Sequence, residues 1–205
     1  MSDRDVIFER VRAGLHRRQP GVDLAPTDWS PPHPSGDLTE RFRQQATRLA
    51  STVVGPLAAT VVPAAIADYL NRERLPTTAV CWPALADCEW AAAGLRVAAR
   101  AATATDLVGI TGAFCAIAET GTLMLLSGPE TPATVSLLPE THIALVPIAS
   151  IVATMEDGWT RLRTHSAMPR AVNFVSGPSR TADIEQTVTL GAHGPYRVLI
   201  VLTTD

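Results

Sequence analysis

Two polar packets, each set between apolar runs, hold most of the residues that could do chemistry. The first is Ala118-Glu119-Thr120-Gly121-Thr122; the second is Gly177-Pro178-Ser179-Arg180-Thr181-Ala182-Asp183-Ile184-Glu185, followed by Gly191-Ala192-His193-Gly194-Pro195. A carboxylate inside an apolar run needs partners, because an unpaired buried charge is costly and is neutralised instead. Thr120, Thr122 and the backbone exposed at Gly121 can supply them. Glu119 then serves as general base, nucleophile or acceptor, or stays a structural carboxylate tied to backbone amides. In the second packet Gly177, Ser179, Arg180 and Thr181 offer hydroxyls, free amides and a bidentate cation, the makings of an anion pocket at a helix start. Asp183 and Glu185 can pair with Arg180 and stiffen the loop. The same residue types also serve turns and helix caps. His193 lies in a Gly-Ala-His-Gly-Pro segment where the backbone, at Gly194 above all, can approach a ligand closely. His142, just before a strand, reads more readily as a satisfied core or rim residue.

Several chemistries are excluded by what is missing. All 17 basic residues are arginine, so there is no lysine for a Schiff base or a Walker-type phosphate loop. There is no Gly-Xaa-Ser-Xaa-Gly nucleophile elbow and no Gly-Xaa-Gly-Xaa-Xaa-Gly dinucleotide fingerprint. Cys81, Cys88 and Cys115 match no zinc or iron–sulfur spacing, and no His or Cys pair has ligand spacing, so no metal site is expected. An odd number of thiols in apolar neighbourhoods suits buried cysteines in a reducing cytoplasm. The net charge is −3, with arginines and acids interspersed, which argues against nucleic-acid binding. The longest apolar stretches are short and broken by proline, so no membrane span is expected.

The elements that must position these packets alternate between strands and helices. Ala171-Val172-Asn173-Phe174-Val175 and Arg197-Val198-Leu199-Ile200-Val201-Leu202 read as strands on either side of the second packet. Upstream, strands are expected over residues 52–57, 77–82, 95–98, 106–111 and 142–146. Helices are expected over 37–51, 63–74 and 83–93, and within 148–163. Short links between them argue for βαβ units, hence an α/β fold with a mostly parallel sheet sandwiched by helices. Aromatics are only 5% of the 205 residues, so small aliphatic side chains build the core. Residues 3–18 place Val6, Ile7, Val11 and Leu15 near one helical face, and five prolines between 20 and 34 mark an extended arm. The division expected is an N-terminal helix and Pro-rich arm over 1–36 and one α/β domain over 37–205. The arm is free to lie on its own domain or to reach across to a second subunit, as in a homodimer.

Taken in order, Ile110-Thr111, the Glu119 packet, Ser136-Leu137-Leu138-Pro139, His142-Ile143 and the two C-terminal segments resemble the LUD-domain family, nearest to its lactate-utilisation protein C group. The resemblance covers about residues 37–205. It implies a fold similar to the sugar-phosphate isomerase and CoA-transferase superfamily. It implies a cytoplasmic role in oxidising L-lactate to pyruvate beside cysteine-rich and iron–sulfur partner subunits, which would carry the clusters, since this chain has no Cys-Xaa-Xaa-Cys run. The site it points to joins Glu119 and His193 as catalytic candidates with Thr120, Gly121, Thr122, Gly177, Ser179, Arg180, Thr181, Asp183 and Gly194 around a small anionic ligand. A second reading is a stand-alone enzyme, CoA-transferase-like or sugar-phosphate-binding. The Glu119 packet is similar to the Ser-Glu-Asn-Gly neighbourhood of CoA-transferases, although Thr120 stands where they have Asn. A third is a module whose loops hold partner subunits.

Overall fold

The computed structural model describes residues 3–15, 33–165, 168–181, 189–191 and 193–204. The chain divides into two compact units, residues 1–32 and 33–205. In the first, helix α1 (Asp3–Leu15) has Asp3 and Asp5 in its first turn, where carboxylates suit the helix dipole. Ile7, Phe8 and Val11 on it are exposed.

The second unit is built on six parallel strands in the order β1 (Thr52–Leu57), β12 (Arg197–Thr203), β7 (Thr141–Pro147), β4 (Val108–Thr111), β2 (Thr78–Cys81) and β3 (Arg96–Ala99). Strands covered on both faces should be apolar throughout rather than alternating. β12 obeys: Val198, Ile200 and Leu202 enter one core, while Leu199 and Val201 enter the other. On that second face lie helix α3 (Val62–Arg72), through Ile66 and Leu70, and Trp90. Pro63 sits in the first turn of α3, where its missing N–H costs nothing.

The first face is covered by helix α2 (Leu38–Arg48), through Phe42 and Ala46, and by a second sheet. Its strands run in the order β8 (Ile151–Val152), β5 (Cys115–Ile117), β6 (Thr122–Leu126) and β9 (Val172–Val175). Asp37 caps α2, its carboxylate accepting from the amides of Thr39 and Glu40. Helix α4 (Thr134–Leu137) adds Val135 to this core, whereas α5 (Met155–Arg163) packs Leu162 against Cys115 and Met124 on the other face of the second sheet; Arg180–Thr181 pairs with Thr189–Leu190 as the β10–β11 ribbon. The expected α/β class holds, with a strand layer where a helix layer alone was expected.

One expected element is replaced. Residues 83–93 form two 3₁₀ turns, Pro83–Leu85 and Ala91–Ala93, and not a helix. Trp82 belongs to the first core and Trp90 to the second. The Trp90 indole N–H donates to the Leu85 carbonyl at 3.0 Å, which closes the segment into a knot that a straight helix could not make.

The strand order carries a consequence for function. From β2 the chain moves outward to the edge strand β3, then returns past β2 to β4 and continues through β7 to β12. The direction reverses between β2 and β4, the position where open α/β sheets place a crevice beyond the carboxyl ends of their strands. Phe114, just before β5, follows the carboxyl end of β4, and Ser127, just after β6, lines the same cavity as Phe114 and Gly112. The turn joining β5 to β6 instead abuts the end of α2 that leads into the start of β1.

Candidate functional site

The Glu119 packet forms the tight turn between β5 and β6. The amide of Glu119 donates to the Ala153 carbonyl at 3.0 Å, and the amide of Gly121 closes the turn on the Ile117 carbonyl at 2.9 Å. Glu119 itself is half-buried, at the surface and not within the core. Gly121 has φ +70°, and a Cβ there would run into the backbone of Gln45 and Ala46 in α2. Only glycine allows this turn to seat against the helix. Next to it runs a string of hydroxyls: Thr120 Oγ1 donates to Thr122 Oγ1 at 2.8 Å, and Thr122 Oγ1 lies 2.8 Å from Ser176 Oγ. Thr122 is buried, so this string satisfies a hydroxyl that the apolar run would otherwise strand.

Ser176 leads into the second packet, and the two packets therefore meet. Gly177, φ +79°, sits where a Cβ would strike the Leu49 carbonyl, so both glycine turns rest on the last turn of α2. The amide of Ser179 donates to the Pro195 carbonyl at 2.8 Å, and the amide of Gly191 donates to the Ser179 carbonyl at 3.0 Å. This stitches the His193 segment to Ser179. Gly194 packs against the Ser179 side chain at 3.6 Å from an added Cβ. Arg180 is exposed at the start of the β10–β11 ribbon. Thr181 joins that ribbon through its backbone, and Asp183 lies outside the described residues.

His193 is exposed and lines a cleft of about 620 Å³ with Leu137, Leu138, Glu140, Gly194 and Tyr196. The Tyr196 hydroxyl donates to Glu140 Oε2 at 2.7 Å, and the Arg197 guanidinium stacks 4.4 Å over the Tyr196 ring. The cleft lies at the amino ends of β7 and β12, since Glu140 and Tyr196 immediately precede those strands. Glu119 does not line it. Hydrogen bonds thus set the Glu119 turn beside Ser176, with Thr122 buried in the link, and set Ser179 beside the segment that carries His193, toward the amino edge of the sheet.

The carboxyl edge holds a second feature that sequence reasoning missed. Beyond the ends of β2 and β4, two cavities of about 660 Å³ and 280 Å³ share Leu85, Gly112 and Ala113 in their walls. Their lining comes from seven separate segments with no polar motif among them. The only hint in sequence is an aromatic or glycine directly after a strand, as at Trp82 and Gly112.

Cys81 and Cys88 lie together in the second core, and Cys115 sits apart in a third. Cys81 and Cys115 are buried in different cores, and burial pushes both thiols up to about 11. Cys115 instead lies 3.6 Å from the Met124 sulfur. They do not fit a shared cluster. Among the described residues no group of three or more His, Cys, Asp or Glu side chains is placed to hold a metal ion, and no helix is long and apolar enough to cross a membrane.

Comparison with known proteins follows the same lines as the fold. A family model described as the LUD domain matches residues 57–203. Lactate utilization protein C of Bacillus subtilis (strain 168) is 40% identical over 102 residues, which is 48% of this chain and 42% of that protein. The protein of the same name from Exiguobacterium sp. is 43% identical over 104 residues, 48% of this chain and 44% of its own. The matched stretch thus covers less than half the length of each relative. A crystal structure of a DUF162 family protein from Deinococcus radiodurans superposes with a TM-score of 0.64 over 83% of this chain and 99% of that one, at 22% identity. That likeness is one of fold.

Proposed function

From the membership of this chain in the LUD domain family, we propose that it serves in L-lactate utilisation, as the subunit without clusters in a system that oxidises lactate to pyruvate. The observation that carries the reading is the run of relatives named lactate utilization protein C at about 40% identity. Cysteine-rich and iron–sulfur partner subunits in the cytoplasm take the electrons, beside a chain whose three cysteines match no cluster-binding spacing.

The polar surface on the amino edge is where this chain meets a small anionic ligand. Glu119 and His193 flank it. The hydroxyls of Thr120, Thr122 and Ser179, the backbone at Gly121, Gly177 and Gly194, and Arg180 supply donors. The connected hydrogen bonds from Thr120 to Ser176, and from Ser179 to Pro195, support treating the packets as one site. Thr181 and Asp183 are included because they follow Arg180 directly in sequence.

A strain deleted for its own lactate utilization protein C, complemented with this chain, tests the proposal by growth on L-lactate. Restored growth that is lost with Glu119→Gln and His193→Ala is the expected result. Growth equal to the empty-vector strain, with the protein expressed, would overturn it.

A second reading has its own observation. Leu107, Leu137 and Leu138 are exposed apolar side chains on the amino edge, two of them lining the His193 cleft. Such a group suits a partner subunit. If Leu138→Asp abolishes co-purification of the lactate-oxidising partners while His193→Ala leaves it intact, the cleft is a contact surface and not a ligand site.

A further inference from the structure

The crevice at the carboxyl edge owes nothing to the polar packets, and its construction is that of a ligand pocket. It lies where the strand order reverses between β2 and β4. Its floor is Trp82, nearly buried, whose indole N–H is fixed by the Pro132 carbonyl at 3.2 Å. Gly112 lies against the indole, with ring carbons 3.5 and 3.7 Å from where a Cβ would be, so no side chain intervenes between the ring and the opening. One wall is Phe114, held edge-on by the His165 ring at 5.8 Å and covered by the Arg161 guanidinium at 5.3 Å. A space of about 660 Å³ with flat, mostly apolar walls and few polar groups is the size and character of a small-molecule site, which typically spans roughly 300–1,000 Å³.

The rim adds charge of one sign. Arg170 lines the opening, is exposed and forms no ion pair among the described residues. Its backbone position is set by its neighbour: the amide of Ala171 donates to Ser127 Oγ at 2.8 Å, and the Ser127 amide donates back to the Ala171 carbonyl at 3.0 Å. This double link holds the arginine beside the Ser127-Gly128 turn at the mouth. Glu130, the nearest carboxylate along that turn, does not line the cavity and is not paired with Arg170. A guanidinium at the mouth of an aromatic slot selects a carboxylate, sulfonate or phosphate attached to a flat body.

We propose that the carboxyl-edge crevice binds a planar aromatic or heteroaromatic anion, its ring system between Trp82 and Phe114 and its acidic group on Arg170. The site is separate from the polar surface on the amino edge and stands whether or not that surface binds lactate-derived anions.

Two fluorescent probes of the same shape test it on the full chain: anilinonaphthalene sulfonate, which carries the acid, and phenylnaphthylamine, which does not. The expected result for the wild type is saturable binding of the sulfonate at one probe per chain. Arg170→Gln, at an exposed position, should weaken the sulfonate about tenfold and leave phenylnaphthylamine unchanged. Gly112→Leu should abolish binding of both; Gly112 has no positive φ and its Cβ would meet only ordinary contacts, so the side chain can project into the slot. Glu119→Gln should bind both probes as the wild type does, which separates this site from the one on the amino edge. Arg170→Gln that weakens both probes equally, or neither, overturns the proposal. So does unchanged binding in a Gly112→Leu protein with a wild-type unfolding curve, or multiple unsaturable binding to the wild type.

Discussion

The Oγ1 of Thr111, at the end of β4, lies 2.8 Å from Nε2 of His142 on the neighbouring strand β7, and both residues are fully buried. The other ring nitrogen, Nδ1, is buried without a hydrogen-bond partner. Two adjacent central strands are thereby tied through a neutral imidazole, because burial pushes the His142 pKa down to about 4. His142 lies two residues along from Glu140 of the His193 cleft but is fully buried and does not line that cleft.

Stability should therefore fall with acid in a defined window. The unfolded chain takes up this proton near pH 6.5, whereas the folded chain resists until about 4. The unfolded state binds more protons between those values, so the contribution of this group is fully present above about pH 6.5 and is lost progressively towards pH 4. The loss amounts to roughly 3 kcal/mol at its limit. Urea unfolding at pH 7.5, 6 and 5 measures it, and His142→Gln should flatten the slope. An unchanged slope in that variant would assign the acid sensitivity to other groups.

Thr111→Val at the same contact removes the imidazole's hydroxyl partner and leaves a buried polar atom unsatisfied. The expected cost is about 1–3 kcal/mol at pH 7.5 in the same urea experiment.

Both glycine turns on the end of α2 should be intolerant of a single methyl group. Gly121→Ala and Gly177→Ala each combine a positive φ with a collision against helix backbone, at Ala46 and Leu49 respectively. A loss of about 2–4 kcal/mol is expected for each from strain and displacement combined. Gly94→Ala is the control: its φ is also positive, at +76°, but nothing lies within 4 Å, so it should lose only the smaller conformational part. Thermal unfolding of the three variants separates collision from φ strain.

Thiol reactivity should divide the cysteines. Cys81 and Cys115 are buried with pKa values pushed to about 11, and Cys88 is half-exposed though also raised by burial. Maleimide labelling of the native protein at neutral pH, read by peptide mass, should modify Cys88 first and the other two only in denaturant. Rapid native labelling of Cys115 would contradict its place in the core.

Helix α5 begins with a reciprocal cap: the Asp157 amide donates to Thr154 Oγ1 at 3.3 Å and the Thr154 amide to Asp157 Oδ2 at 3.0 Å. Thr154→Ala should cost about 1 kcal/mol in chemical denaturation, and Thr154→Ser should restore most of it.

Much of this architecture was legible in advance. The runs at residues 143–147 and 198–202 are apolar at consecutive positions, as a strand covered on both faces requires, and both are central in the sheet. The segment 83–93 misled because Leu85 and Trp90 suit a helix locally, while Trp82 just before it is claimed by one core and Trp90 by the other. The polar packets were visible as residue types, but their junction through Thr122 and Ser176, 54 positions apart, was not.

What the sequence by itself determined is the kind of element at each place, because periodicity, caps and glycines act over a few residues. The alternation of strands with short links made an α/β fold, and the motif series identified the family. What only the tertiary structure decided is which edge of the sheet each functional group occupies. The hairpin of β5 and β6 carries Glu119 to the amino edge, and the reversal of strand order opens an apolar crevice at the carboxyl edge. Trp82, Gly112, Phe114 and Arg170 come together there from distant positions by packing alone. Sequence patterns report local preference, whereas a pocket is a product of long-range contacts, and those exist only once the chain has closed on itself.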